Sequence, residues 1–168
     1  PGCYTSQVRI KQTHRALENE LYAAEKMCSA AWLTAGMPYP AAEFSKAGLD
    51  LAAVEFHDVL PGSSIQPVED MAIRIMHHAL EELSRVKARA FFKLAAGQQK
   101  APGRALPVLV YNPHPFPIEA VVECEMQHAE QNWAEMTGRM SVARVSRRGE
   151  RMPAQVEKEL SNLALDWR

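Results

Sequence analysis

Cysteine is scarce in this chain and badly placed for pairing. Cys3, Cys28 and Cys124 are odd in number, far apart and form no Cys-x-x-Cys pair. That excludes a disulfide framework and points to reduced thiols in a reducing compartment, with the cytoplasm as the default. Basic charge is not in excess either. Nineteen Lys and Arg stand against twenty Asp and Glu, a net charge of −1, which excludes a general nucleic-acid surface. No apolar run approaches the roughly 20 residues that a membrane-spanning helix needs, and no signal-peptide pattern opens the chain. Aromatic residues make up only 7% of the sequence, with Trp32, Trp133 and Trp167 scattered. The concentrated aromatic face of a carbohydrate-binding module is therefore missing. There is no internal repeat.

What is present suits a soluble globular protein, with 47% hydrophobic and 23% charged residues. Its 168 residues allow one large domain or two small ones. The chain opens at Pro1 without an initiator methionine and stops at Asp166-Trp167-Arg168 with no terminal turn or polar tail. Both ends read as cuts inside a longer polypeptide, so a piece of a larger protein is expected.

The first half has helical periodicity. From about Thr5 to Leu33, small or apolar residues recur at Ile10, Leu17, Leu21, Ala24, Cys28 and Ala31, a 3-4 rhythm interrupted by His14. Thr5 or Ser6 is placed to cap this helix, and Gly36, Pro38 and Pro40 end it and open the next. A second amphipathic helix is expected from about Pro40 to Val59, with Phe44, Ala47, Leu51 and Val54 on its buried face. A third starts near Pro67, preceded by a capping box of Ser63 and Gln66, with Glu69 and Asp70 complementing the helix dipole. Its stripe runs through Val68, Met71, Ile75, Ala79, Leu83, Val86, Ala90 and Leu94. None of these helices can bury its apolar face alone, so they must pack together.

The Gly97–Gly103 stretch breaks this composition, and the period changes beyond it. Pro107–Tyr111 predicts a short strand ended by Asn112-Pro113, and Phe116–Met126 a half-buried one. Met140–Val145 and Ala154–Glu159 flank Arg147-Arg148-Gly149-Glu150 as a hairpin-like pair. The expected architecture is α+β. A three-helix bundle occupies residues 1–98, a linker 99–105, and an incomplete, antiparallel, β-sandwich-like domain 106–168.

Chemistry concentrates at Phe56-His57-Asp58-Val59-Leu60-Pro61-Gly62-Ser63-Ser64. The stripe of the second helix takes its next step on Asp58, which sets an imidazole and a carboxylate at the mouth of a core. Pro61 and Gly62 then turn the chain sharply. Taken alone, a His-Asp pair at a helix C-terminus is more often a cap facing the negative end of the dipole. His14 reads as a core or boundary histidine, and His77 and His78 as surface and flank positions. Glu55, Glu69 and Asp70 read as caps and solvated charges.

Three segments together resemble glycoside hydrolase family 38, the retaining α-mannosidases. Gly2-Cys3-Tyr4-Thr5-Ser6-Gln7, followed by Arg9-Ile10-Lys11 and Arg15, is similar to the entry to that family's middle helical domain. Phe56 to Ile65 resembles the motif in its helical hairpin, in the Leu-Pro-Gly-Ser-Ser form of the bacterial and cytosolic branch. The secretory branch typically has His-His-Asp and Gly-Thr there. Val110-Tyr111-Asn112-Pro113 resembles the start of its C-terminal β-domain.

The resemblance implies that His57 is a ligand of a divalent cation, most often Zn2+, and that Asp58 accepts hydrogen bonds from mannose hydroxyls. It implies a substrate of terminal α-mannosides on oligosaccharides, with no nucleic-acid or membrane partner and self-association into a homo-oligomer left open. The family takes its nucleophile, acid/base and remaining metal ligands from an N-terminal α/β barrel, and none of those groups is in this sequence. Retaining glycosidases need two carboxylates about 5–5.5 Å apart. The chain by itself is thus expected to be inactive and to bind zinc weakly, because one His cannot complete a tetrahedral site. The alternative from another class is a non-catalytic helical and β interaction module.

Overall fold

The computed structural model of the chain describes residues 4–103, 105–124, 145–147 and 149–155. Three helices are followed by a small antiparallel sheet, an α+β arrangement. Helix α1 spans Val8–Ala35, α2 Ala41–Val54 and α3 Gln66–Ala95. The chain divides into two compact units, Pro1–Val121 and Val122–Arg168.

In α1 the buried positions are Ile10, His14, Leu17, Ala24, Cys28 and Ala31, with Met27 beside them. With half-buried Leu21 these alternate in steps of four and three, the 3.5-residue repeat that keeps one seam against a partner helix. Helix α3 answers with Ala72, Met76, Ala79, Leu83, Val86 and Ala90 on the same repeat. Gln7 meets Ser64 at one end and Cys28 lies under Val86 further along, so α1 and α3 run in the same direction. Arg89 pairs with Glu43 and His14 with Glu55, so α2 runs back between them. The bundle is up-down-up, with two helices of about 42 and 45 Å and one of about 21 Å, at a rise of 1.5 Å per residue.

From Ala79 to Ala90 the expected α3 stripe is buried as expected, and Leu94 beyond it is half-buried. Nearer its start the seam lies one position later, on Ala72 and Met76, while Met71 is exposed and Ile75 half-buried. A small side chain at Ala72 suits the close approach of neighbouring helices. Gly36, at φ 64, closes α1 in the left-handed conformation, and Met37 N–H returns to Ala31 O at 3.2 Å.

Four expectations need correction. First, α2 ends at Val54 and not at Val59. Continuing the helix would carry the Asp58 carboxylate onto the buried face, and an unpaired charge there is expensive. A string of turns instead brings Val59 into the core and leaves His57 and Asp58 outside. Second, neither long helix has the predicted cap. Gln7 is the N-terminal boundary residue of α1 and Ile65 that of α3, and neither makes a side-chain cap hydrogen bond.

Third, no strand forms over Pro107–Tyr111 or over residues 116–124. Their apolar side chains are exposed, Val121 at 96%, because a strand needs a ladder partner and none is present among the described residues. Tyr111 instead packs against the bundle core and donates its hydroxyl to Lys26 O at 3.3 Å. Burial raises the Tyr111 pKa.

Fourth, the hairpin is tighter than expected. Strand β1 is Val145–Arg147 and β2 Glu150–Met152, with Val145 opposite Met152 and Arg147 opposite Glu150. Gly149, at φ 87, allows a two-residue loop, so the ladder reaches Arg147 and Glu150. Residues 125–126, 140–144 and 156–159 of the expected strands lie outside the described residues.

Candidate functional site

The site is built at the turn that joins α2 to α3. Val59 N–H bonds to Phe56 O at 2.8 Å, Gly62 N–H to Val59 O at 3.0 Å and Ser63 N–H to Asp58 O at 3.2 Å. These bonds close successive turns, with Val59 as the buried pin beneath them. His57 and Asp58 ride on the outside, their side chains 76% and 55% exposed. His57 Nε2 and Asp58 Oδ2 lie 3.4 Å apart, and the His57 ring rests on Phe56 with centroids 4.1 Å apart. Ser63 Oγ donates toward Asp58 Oδ1 at 3.3 Å.

The segment before α1 grips this turn. Tyr4 N–H bonds to Pro61 O at 2.8 Å, and Ser6 Oγ donates to Gly62 O at 2.7 Å. Gln7 Nε2 donates to Ser64 O at 2.8 Å, while Ser64 Oγ donates back to Gln7 Oε1 at 3.3 Å. Tyr4 and Gln7 hold left-handed backbone conformations, φ 67 and 48, which cost on the order of 1–3 kcal/mol each in a non-glycine residue. These contacts offset that strain. The first two resembling segments are therefore one physical unit, although 57 positions separate Gln7 from Ser64.

At the other end of the turn stands His14, 9% exposed in a core slot of α1. Its Nε2 lies 3.0 Å from Glu55 Oε1 and its Nδ1 3.4 Å from Glu18 Oε2. Among the described residues these three bring donor atoms within 4.8 Å of one another, close enough to hold a metal ion. The geometry favours a brace. The two ring nitrogens face different carboxylates, so a single ion could take only one of them, and Arg15 already holds Glu18 Oε2 at 3.0 Å. His77 and His78 are exposed on α3. Glu69 sits in the first turn of α3 and Asp70 accepts a bond from Gln66 at 3.1 Å.

His57 fits one position of a cation site: an exposed imidazole on a fixed turn is the right chemistry for one ligand. Among the described residues no group of three His, Cys, Asp or Glu donors gathers around it. The exposed Asp58 carboxylate, 3.4 Å away, can accept hydrogen bonds. A shallow hollow between α2 and α3, lined by Glu43, Lys46, Asp50, Ala79 and Glu82, includes neither residue. Sequence reasoning singled out His57 and Asp58 as candidates, and the structure sets both on this turn; it did not find the contacts that Gln7, His14, Glu55 and Ser63 make there. The polar residues in both resembling segments, Ser6-Gln7 and Ser63-Ser64, were the available signal.

A helical bundle with an outward His-Asp turn locked to its own N-terminal segment defines the class. Residues 1–94 match the family described as Alpha mannosidase middle domain, and the chain belongs to that family. It is similar to Alpha-mannosidase G of Dictyostelium discoideum, 36% identical over 86 residues that make up 51% of this chain. The match spans 8% of the length of that relative. No solved structure gives a significant match.

Proposed function

We propose that this chain supplies one wall of the active site of a retaining, metal-dependent α-mannosidase acting on terminal α-mannosides of oligosaccharides. The observation that carries the reading is the outward presentation of His57 and Asp58, 3.4 Å apart, in a domain of this family. His57 offers a ring nitrogen to a divalent cation, Zn2+, and Asp58 accepts hydrogen bonds from sugar hydroxyls. His57 would hold such an ion, which would supply Lewis-acid chemistry toward the sugar hydroxyls. His57 and Asp58 orient and bind; the nucleophile and the acid/base come from an N-terminal barrel.

On the same proposal, residues 106–168 open the C-terminal β-domain behind a linker at 99–105. The isolated chain is inactive on this reading, since the nucleophile and the acid/base belong to the barrel. Cys28 and Cys124 are both free thiols, which supports a reducing, cytoplasmic setting. No helix among the described residues is long and apolar enough to cross a membrane.

The test is His57→Ala in the full-length protein, measured for bound metal, turnover of an aryl α-mannoside and helix content. Metal and turnover should fall together while the helices remain. If metal and turnover persist and stability drops by about 1 kcal/mol, the pair is a helix-end cap and the interaction-module reading takes over. Turnover by the isolated chain would overturn the division of labour.

A further inference from the structure

We propose that the segment from Tyr4 to His14 aims His57 and Asp58, with Gln7 and His14 as its positioning residues; this rests on the function proposed above. The turn between α2 and α3 is tied to α1 at two points, and each tie leads to a different functional side chain. The first begins at His14, whose Nε2 is 3.0 Å from Glu55 Oε1. Glu55 is the residue after α2 and precedes Phe56, on whose ring His57 rests. The second begins at Gln7, which exchanges two side-chain bonds with Ser64. Ser64 follows Ser63, whose hydroxyl donates to Asp58 Oδ1 at 3.3 Å. Ser6 and Tyr4 hold the intervening Gly62 and Pro61.

The side chains have been diverted from ordinary duties. Gln7 occupies a helix N-terminal boundary, where Ser, Thr, Asp or Asn would normally cap. It makes no cap bond and turns to Ser64 instead. His14 takes a seam position where its neighbours one repeat away are Ile10 and Leu17. A polar group in such a slot fixes register at the expense of stability. Here it reaches the exposed Glu55 at the start of the functional turn.

The two ties make a split prediction. In the full-length protein, His14→Ala and Glu55→Ala should each weaken Zn2+ affinity about tenfold or more, the scale of losing a group that orients a ligand. KM for an aryl α-mannoside at saturating zinc should change much less. Gln7→Ala should do the reverse, raising KM several-fold with zinc affinity nearly unchanged. His14→Gln, whose amide nitrogen can still reach Glu55, should recover most of the zinc affinity. Zinc affinity is read by chelator competition, independently of turnover.

Glu55 is 45% exposed, so its truncation opens no cavity and keeps the test valid if His14→Ala does not fold. The proposal is overturned if Glu55→Ala binds zinc within twofold of the parent. It is also overturned if every variant shifts both quantities in proportion to its loss of thermal stability. His57→Ala is measured in parallel. If that variant loses zinc while Glu55→Ala does not, only the positioning role falls; if it keeps zinc, the function proposed above falls and this inference with it.

Discussion

Gly62 sits against Ser6 so closely that one added carbon would lie 2.6 Å from the Ser6 hydroxyl and 2.8 Å from its backbone carbonyl. The Lys11 ammonium would be another 2.6 Å contact. Lysine can swing away, but a carbonyl oxygen held in the chain cannot. The backbone at Gly62 is also left-handed, φ 83, which a side chain resists. The turn carrying His57 and Asp58 is thus fitted to the N-terminal segment through the absence of a side chain.

Gly62→Ala should therefore destabilise the bundle by about 1–3 kcal/mol, from positive φ and a backbone clash together. Gly48 provides the internal control. It lies within α2, and a methyl there would meet nothing within 4 Å, so Gly48→Ala should stabilise by about 0.5–1 kcal/mol. Urea unfolding of the two variants reads both signs. A Gly62→Ala protein as stable as its parent would show that the segments do not pack this way.

The same contacts explain what could be read from the sequence and what could not. The phases of the long helices were legible because burial repeats locally: Leu17, Cys28, Leu83 and Val86 announce a seam without knowledge of the partner. The end of α2 was not. Its stripe extrapolates onto Asp58, and the helix stops because Val59 takes the core place and Glu55 is drawn to His14, 41 positions away. Pro107–Tyr111 has strand composition, yet pairing depends on a neighbour that its own residues cannot specify. The hairpin turn at Gly149 was legible because the requirement for positive φ is local. His57 and Asp58 stood out through resemblance, whereas Gln7 as their support depends on a contact across 57 positions.

The seam itself makes a sharp contrast between two leucines. Leu83 is fully buried on α3, whereas Leu49 on α2 is 69% exposed. Leu83→Ala should cost about 2–5 kcal/mol through lost transfer energy and a residual cavity. Leu49→Ala should change stability by less than about 0.5 kcal/mol. Chemical denaturation of both variants checks the assignment of the buried face, and equal losses would mean that the helix phases are wrong.

Thiol reactivity should separate the two described cysteines. Cys28 is buried on the seam with its sulfur 3.7 Å from Val86 O, and burial pushes its thiol pKa up. The thiolate is the reactive species, so both access and ionisation protect it. Cys124 is exposed. Iodoacetamide on the native protein should label Cys124 within minutes and Cys28 only once denaturant is added, as mass spectrometry of the peptides will show. Rapid native labelling of Cys28 would contradict its place in the core.

Glu43 gives the bundle a predictable response to acid. It lies in the first turn of α2, and its carboxyl is held below the ordinary glutamate range by a bond to its own backbone amide and then by Arg89 on α3, 3.1 Å away. A carboxylate whose folded pKa is depressed contributes stability that is fully present above its unfolded pKa of about 4.3 and is lost as pH falls through the lower folded value. The pair is partly exposed, so solvent screening limits the contribution to a few tenths of a kcal/mol. Glu43→Gln should accordingly be slightly less stable than the parent at pH 6. Near pH 3 the gap should narrow, since the parent carboxylate is then being protonated. Urea midpoints of both proteins at the two pH values measure it, and a gap as wide at pH 3 as at pH 6 would show that the carboxylate charge contributes nothing.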